Sequence, residues 1–233
     1  NEYLTAMTDI VFQYGGTLDK YIGDAIVAIY GAPIHFDTHA LNACLATLDM
    51  QEKLAAMRVV WKEQGKHELT ARCGINTGRM IAGNMGSTTR FNYTVMGDNV
   101  ELGEHLESGG KTYGTFMTIS EETRRQAGDR IITRWLDIIT YGGHDKPFRL
   151  FELLAKAEVG ISEDKKKGVQ LFEEAVELYF KREWDKALEK YNEVYKYIPD
   201  DTPTKQAIGR CEKMKANPPG PEFDELLANV EPM

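Results

Sequence analysis

Leu18-Asp19-Lys20-Tyr21-Ile22-Gly23-Asp24-Ala25-Ile26-Val27-Ala28-Ile29-Tyr30-Gly31-Ala32-Pro33 is the stretch whose reading decides the fold. Two short apolar runs flank Gly23-Asp24, and a two-residue turn with glycine first predicts a β-hairpin over Thr17–Tyr30. Gly31-Ala32-Pro33 breaks the second strand. Asp24 then stands at the hairpin tip, with its carboxylate beyond the strands. A carboxylate held there can meet Mg²⁺ or Mn²⁺ against phosphate oxygens. Taken alone, a Gly-Asp pair is just a turn. Lys20, on the strand leading to the tip, is by itself a solvated charge.

Working outward, Leu4, Met7, Ile10, Val11 and Tyr14 recur at helical spacing before Gly15-Gly16, which predicts a helix over Glu2–Tyr14. Leu41, Cys44, Leu45, Leu48, Met50, Leu54 and Met57 predict a long amphipathic helix from about His39 to Gln64. Leu69–Thr77 and Met80–Ala82 read as a second hairpin around Gly78, and Tyr93–Met96 as a short strand. Gly97-Asp98 opens a helix to about Ser108, which Gly109-Gly110 closes. Phe116–Ile119 reads as a strand, Glu121–Ala127 as a helix, and Arg134–Thr140 with Phe148–Leu153 as a closing strand pair. This order predicts an α+β fold, helices packed on a mainly antiparallel sheet, with a ferredoxin-like core.

Beyond Leu154 the pattern changes. Residues 156–168 are charged and glycine-spaced and read as a linker. Phe172, Ala175, Val176, Tyr179 and Phe180 form one apolar helical face, and Trp184, Ala187, Leu188, Tyr191, Val194 and Tyr195 form another. Pro199-Asp200 follows, and Thr204–Lys215 reads as a third helix. The aromatic and alanine positions, with a proline after the second helix, resemble a tetratricopeptide unit over 169–216. A plain helical hairpin is the alternative. A single unit buries too little by itself, so this helical tail is expected to dock on the preceding domain or on another chain. Residues 217–233, with four prolines, read as a loosely ordered tail.

The 233 residues are 42% hydrophobic and 27% charged, ordinary values for a globular chain. A net charge of −8, from 28 basic and 36 acidic residues, argues against a nucleic-acid partner. Three widely spaced cysteines form neither a disulfide framework nor a zinc pattern, which points to a reducing, cytoplasmic setting. No apolar run reaches the ~18 residues of a membrane span, so any membrane attachment is expected through upstream regions.

Three segments now combine. The hairpin stretch is followed by Arg72-Cys73-Gly74-Ile75-Asn76-Thr77-Gly78. Next comes Asn92-Tyr93-Thr94-Val95-Met96-Gly97-Asp98-Asn99-Val100, continuing to Leu106-Glu107 and Lys111-Thr112-Tyr113-Gly114. In order and spacing they resemble the successive motifs of bacterial class III adenylate cyclases, from Asn1 to about Leu154. The resemblance implies a class III nucleotidyl cyclase fold over 1–155. It implies conversion of ATP to 3′,5′-cyclic AMP and pyrophosphate in a homodimer whose sites lie between two domains. Asp24 matches the second of two metal-binding aspartates; the first is expected on a strand upstream of Asn1. Lys20 matches the position that reads the purine ring nitrogen. Thr94, otherwise an ordinary β-branched strand residue, matches the position that reads the exocyclic amine.

The same resemblance exposes departures. After Gly97-Asp98-Asn99-Val100 the family expects Asn and, one helical turn later, Arg, to orient the ribose and meet charge on the α-phosphate. Here stand Glu101 and His105. Where the family expects Lys for the terminal phosphates, Gly142 stands. Losing one preorganised donor costs ~10²–10³ in rate, so the chain is expected to be impaired as an enzyme. The alternative is a catalytically silent, cyclase-like dimerisation or regulatory domain, and a third reading makes the helical tail the working part. Gly142-Gly143-His144-Asp145 superficially resembles the Gly-Gly signature of diguanylate cyclases, but the rest of that signature does not follow.

Overall fold

The fold was obtained as a computed structural model that describes residues 1–142 and 146–230. In chain order it comprises α1 (Glu2–Gln13), β1 (Thr17–Ile22), β2 (Ala25–Ile29), α2 (His39–Glu63), β3 (Cys73–Ile75), β4 (Ile81–Gly86), β5 (Phe91–Met96) and α3 (Asp98–Tyr113). There follow β6 (Met117–Ser120), α4 (Glu121–Ala127), β7 (Ile131–Ile139), β8 (Phe148–Lys156), α5 (Glu163–Phe180), α6 (Trp184–Val194), α7 (Thr202–Ala216) and α8 (Glu222–Ala228).

The strands form three ladders. β1 and β2 pair antiparallel about Gly23-Asp24, as the opening stretch requires. β4 and β5 make a second antiparallel hairpin. The central sheet has the order β3-β6-β8-β7, with β3 parallel to β6 and the other neighbours antiparallel. The hairpin expected around Gly78 is therefore not formed. The chain leaves β3 and crosses to a different ladder, because Asn99 holds the crossing segment. Asn76 Nδ2 donates to the Asn99 carbonyl (2.9 Å) and to its side-chain oxygen (3.0 Å), and Asn99 Nδ2 donates to the Arg79 carbonyl (3.0 Å).

Capping chemistry explains several helix starts. The Ser120 hydroxyl accepts from the Thr123 amide at α4, Ser162 from Lys165 at α5, and Asp201 from Thr204 at α7. Acidic residues occupy the first turns of α4 and α5, where the helix dipole favours them. Helix α3 runs straight through Gly109-Gly110 and ends at Gly114, which takes the left-handed conformation with φ of 73°. Its three interior glycines, Gly103, Gly109 and Gly110, cost about 1 kcal/mol each in propensity. Packing offsets this, since Leu102 and Leu106 of the same helix are fully buried.

The core is shared. Trp135 and Phe151 of the central sheet, Leu102 and Leu106 of α3, and Phe172 and Phe180 of α5 belong to one buried cluster. Burial of each such side chain contributes about 1.5–3 kcal/mol. The Trp135 and Phe180 rings stack at 6.1 Å. Arg134, only 3% exposed, bonds Glu152 of β8 (2.9 and 2.5 Å) and Asp201 at the start of α7 (2.8 and 3.2 Å), with its guanidinium over the Phe172 ring. Burial works against its charge, but the two carboxylates outweigh burial and raise its pKa. A second cluster of Met7, Leu54 and Trp61 packs α1 on α2.

Two segments are more ordered than composition suggests. Of 156–168, read as a linker, Lys156 ends β8 and Glu163–Gly168 open α5. In the tail, α8 buries Phe223 against Tyr179 and Phe180. Arg182 donates to the carbonyls of Pro219 (3.0 Å) and Gly220 (2.7 Å) and pairs with Asp224 (2.6 Å). The prolines shape a short connection that one arginine fastens.

Candidate functional site

The β1–β2 hairpin carries Lys20 and Asp24, and the β4–β5 hairpin carries Thr94. Asp24 lies in the turn and is exposed. Lys20 and Thr94 sit in different ladders, yet both reach one carboxylate. Thr94 Oγ1 donates to Asp19 Oδ2 at 2.7 Å, and Lys20 Nζ lies 3.5 Å from the same oxygen. Asp19 is missed when the sequence is read for charge at the tip. The signal that could find it is the β-bulge: Leu18 pairs with Ala28 and Lys20 with Val27, leaving Asp19 as the extra residue.

Glu101 and His105 lie one turn apart on α3, both exposed. The His105 ring is 5.1 Å from the Tyr141 ring, so the helix meets the segment that leads into Gly142. Gly142 is exposed with open space around its Cα, and residues 143–145 of the Gly-Gly segment lie outside the described residues. The structure thus forms two groups, Asp19-Lys20-Thr94 on the hairpins and Glu101-His105 beside Tyr141-Gly142. The first offers an ammonium and a hydroxyl; the second offers a carboxylate and an imidazole.

Helix α3 is seated on β3 through glycine. A Cβ on Gly74 would lie 2.3 Å from both the Glu107 amide nitrogen and the Gly103 carbonyl oxygen, so only a bare Cα admits the helix this close. The far end is pinned. Tyr113 donates to Asp137 at 3.0 Å, and Arg210 of α7 lies 3.9 Å from the same carboxylate with its guanidinium over the Tyr113 ring. Burial pushes the Asp137 carboxyl up, partly offset by Arg210 and by hydrogen bonds from Ile138 and Tyr113.

For a divalent metal the donor set falls short. A hard dication takes about six oxygen ligands. Among the described residues no three His, Cys, Asp or Glu side chains come together to hold a metal ion, and Asp24 offers a single carboxylate. The residues present therefore do not fit a complete Mg²⁺ or Mn²⁺ site. Burial pushes the Cys44 thiol up to about 12 and the Cys73 and Cys211 thiols up to about 11, which disfavours their thiolate forms. Among the described residues no helix is long and apolar enough to cross a membrane.

Residues 1–131 match the family described as the adenylate and guanylate cyclase catalytic domain, and the chain belongs to that family. It is 30% identical over 154 residues to adenylate cyclase 1 of Rhizobium meliloti (strain 1021), covering 66% of this chain and 23% of that protein. The chain thus spans less than a quarter of that relative's length. Among solved structures, the adenylyl cyclase CyaB of P. aeruginosa superposes with a TM-score of 0.60 at 31% identity, over 67% of this chain and 80% of that one. The guanylyl cyclase Cya2 gives 0.58 at 31% identity, over 67% and 78%.

Proposed function

We propose that this domain is an adenylate cyclase of lowered activity, which takes ATP to 3′,5′-cyclic AMP and pyrophosphate in a site completed by two copies of the chain. The observation that carries the reading is the convergence of Lys20 and Thr94 on Asp19. A lysine donor beside a hydroxyl acceptor complements the ring nitrogen and exocyclic amine of adenine. In the reaction the ribose 3′-oxygen bonds to the α-phosphorus, the bond to the pyrophosphate oxygen breaks, and the hydroxyl proton passes to solvent. Asp24 and the α3 residues lie around the ribose and phosphates, where Glu101, standing in place of Asn, repels the polyphosphate.

Pairing of two copies is supported by apolar side chains left exposed on both hairpins, namely Tyr21, Ile22, Ile81, Phe91 and Met96. The same reading keeps residues 1–155 as the catalytic unit. It treats α5–α7 as an appended helical repeat of tetratricopeptide type, and the contacts of Arg134 and Trp135 with α5 and α7 support its seat on β7.

The second reading, a silent cyclase-like domain, is favoured by Glu101 and His105 standing exposed in place of amide and guanidinium. One experiment separates the two. The chain and a Glu101→Asn/His105→Arg/Gly142→Lys variant, each joined at its N-terminus to a strand that supplies the family's first metal-binding aspartate, are incubated with ATP and Mn²⁺, and cyclic AMP and pyrophosphate are measured. The parent is expected to produce cyclic AMP slowly and the variant at least about 10²-fold faster. Absence of cyclic AMP from both proteins refutes the enzyme reading.

A further inference from the structure

Asp19 is costly to the fold by ordinary measures. Its side chain is 2% exposed, yet Oδ1 is buried and meets no hydrogen-bond donor among the described residues. Fold stability does not call for a half-satisfied carboxylate there. The bulge between Leu18 and Lys20 aims it: regular alternation would place Asp19 and Lys20 on opposite faces of β1, whereas here Lys20 Nζ and Asp19 Oδ2 are 3.5 Å apart. Oδ2 also receives the Thr94 hydroxyl, so the carboxylate links two hairpins that share no backbone ladder.

We propose that Asp19 is a positioning residue that sets purine selectivity by fixing the direction of the Thr94 hydroxyl. The proposal rests on the reading of Lys20 and Thr94 as purine contacts. A threonine hydroxyl has one proton and can either donate or accept, and so meets an amine or a carbonyl equally well. A carboxylate only accepts. With its proton given to Asp19, Thr94 shows a bound base nothing but lone pairs. Lys20, 48% exposed, can only donate. The subsite then presents donor beside acceptor. Adenine offers the complement, a ring nitrogen and an amine. Guanine offers a ring N–H and a carbonyl, mismatched at both points. Asp19 removes the ambivalence that threonine alone would leave.

The test measures binding of α,β-methylene analogues of ATP and GTP, which cannot release pyrophosphate, by displacement of a fluorescent ATP analogue. Five proteins are compared: the parent, Asp19→Asn, Thr94→Val, the double variant, and Lys20→Ala. Asn can donate its amide to Thr94 and free the hydroxyl proton, so Asp19→Asn should narrow the adenine-to-guanine affinity ratio about tenfold, one hydrogen-bond mismatch. Thr94→Val should narrow it comparably, and Asp19→Asn should add nothing in the Thr94→Val background. A ratio unchanged by Asp19→Asn but narrowed by Thr94→Val overturns the role of Asp19 and leaves the purine reading standing. An equal effect of Asp19→Asn with and without the hydroxyl also overturns it. Ratios unmoved by both Thr94→Val and Lys20→Ala, or a parent that binds neither analogue, overturn the purine reading and this proposal with it. Should Asp19→Asn fail to melt cooperatively, Asp19→Ser is read in the same way.

Discussion

Replacing Arg134 by Met should loosen the helical half of the molecule from the sheet. The guanidinium sits between Glu152 and Asp201, with side chains 3%, 14% and 8% exposed respectively. Met keeps an unbranched apolar stem over Phe172 but strands two carboxylates out of water. Each retains other donors: Thr115 Oγ1 to Glu152, and the Thr204 amide and hydroxyl to Asp201. Breaking a buried pair by removing one partner costs about 3–5 kcal/mol. For a chain of this length, 1 kcal/mol moves Tm by roughly 2–4 °C, so the loss should be about 6–20 °C. Differential scanning calorimetry reads it directly. Adding Glu152→Gln and Asp201→Asn removes the stranded charges and should recover at least half the loss. A Tm within about 2 °C of the parent, below the ~1 kcal/mol level, would refute the assignment of this cluster as the bond between sheet and helices.

Two other expectations concern α3 and the α5 seat. Gly74→Ala should destabilise by about 1–3 kcal/mol in urea titrations, because its Cβ meets backbone at 2.3 Å. Gly103→Ala, in open space on the same contact, should instead gain up to about 1 kcal/mol of helix propensity; like behaviour of the two would refute the close seating. Glu173 accepts the Trp135 amide at 2.8 Å, and burial raises its pKa against the pull of that hydrogen bond and of Arg124 and Arg134. The native state thus holds the proton more tightly than the unfolded chain. This contribution to stability is complete below the ordinary carboxyl value and is lost as pH rises through the raised native value. Glu173→Gln should flatten the pH–stability curve above about pH 4.3; parallel curves for variant and parent would contradict the burial argument.

The elements that carry local signals were legible in the sequence. The hairpin at Gly23-Asp24, the helix opening at His39 and the helix Glu121–Ala127 follow from turn chemistry, period and caps, which act over a few residues. What failed was pairing. Gly78 has the composition of a hairpin turn, but the partner of Cys73–Ile75 is Met117–Ile119, some forty positions away, and nothing in the turn encodes it. The run through Gly109-Gly110 failed for a related reason: tertiary packing of Leu102 and Leu106 outweighs propensity. The tail was misjudged because four prolines argue for disorder, while one arginine and one phenylalanine hold it. At the site, Lys20, Thr94 and Asp24 were named from motif position. Asp19 was not, since a carboxylate beside a lysine looks like surface charge until the bulge turns it inward.

Helix α3 holds 16 residues, so at 1.5 Å per residue it is a rod of roughly 24 Å. Glu101 stands near one end, and at the other Tyr113 is clamped by Asp137 and Arg210. A rod fixed at its far end transmits tilt as a lever does. Displacement of α7 would therefore be passed along the helix to Glu101 and His105, damped by whatever bending Gly103, Gly109 and Gly110 allow.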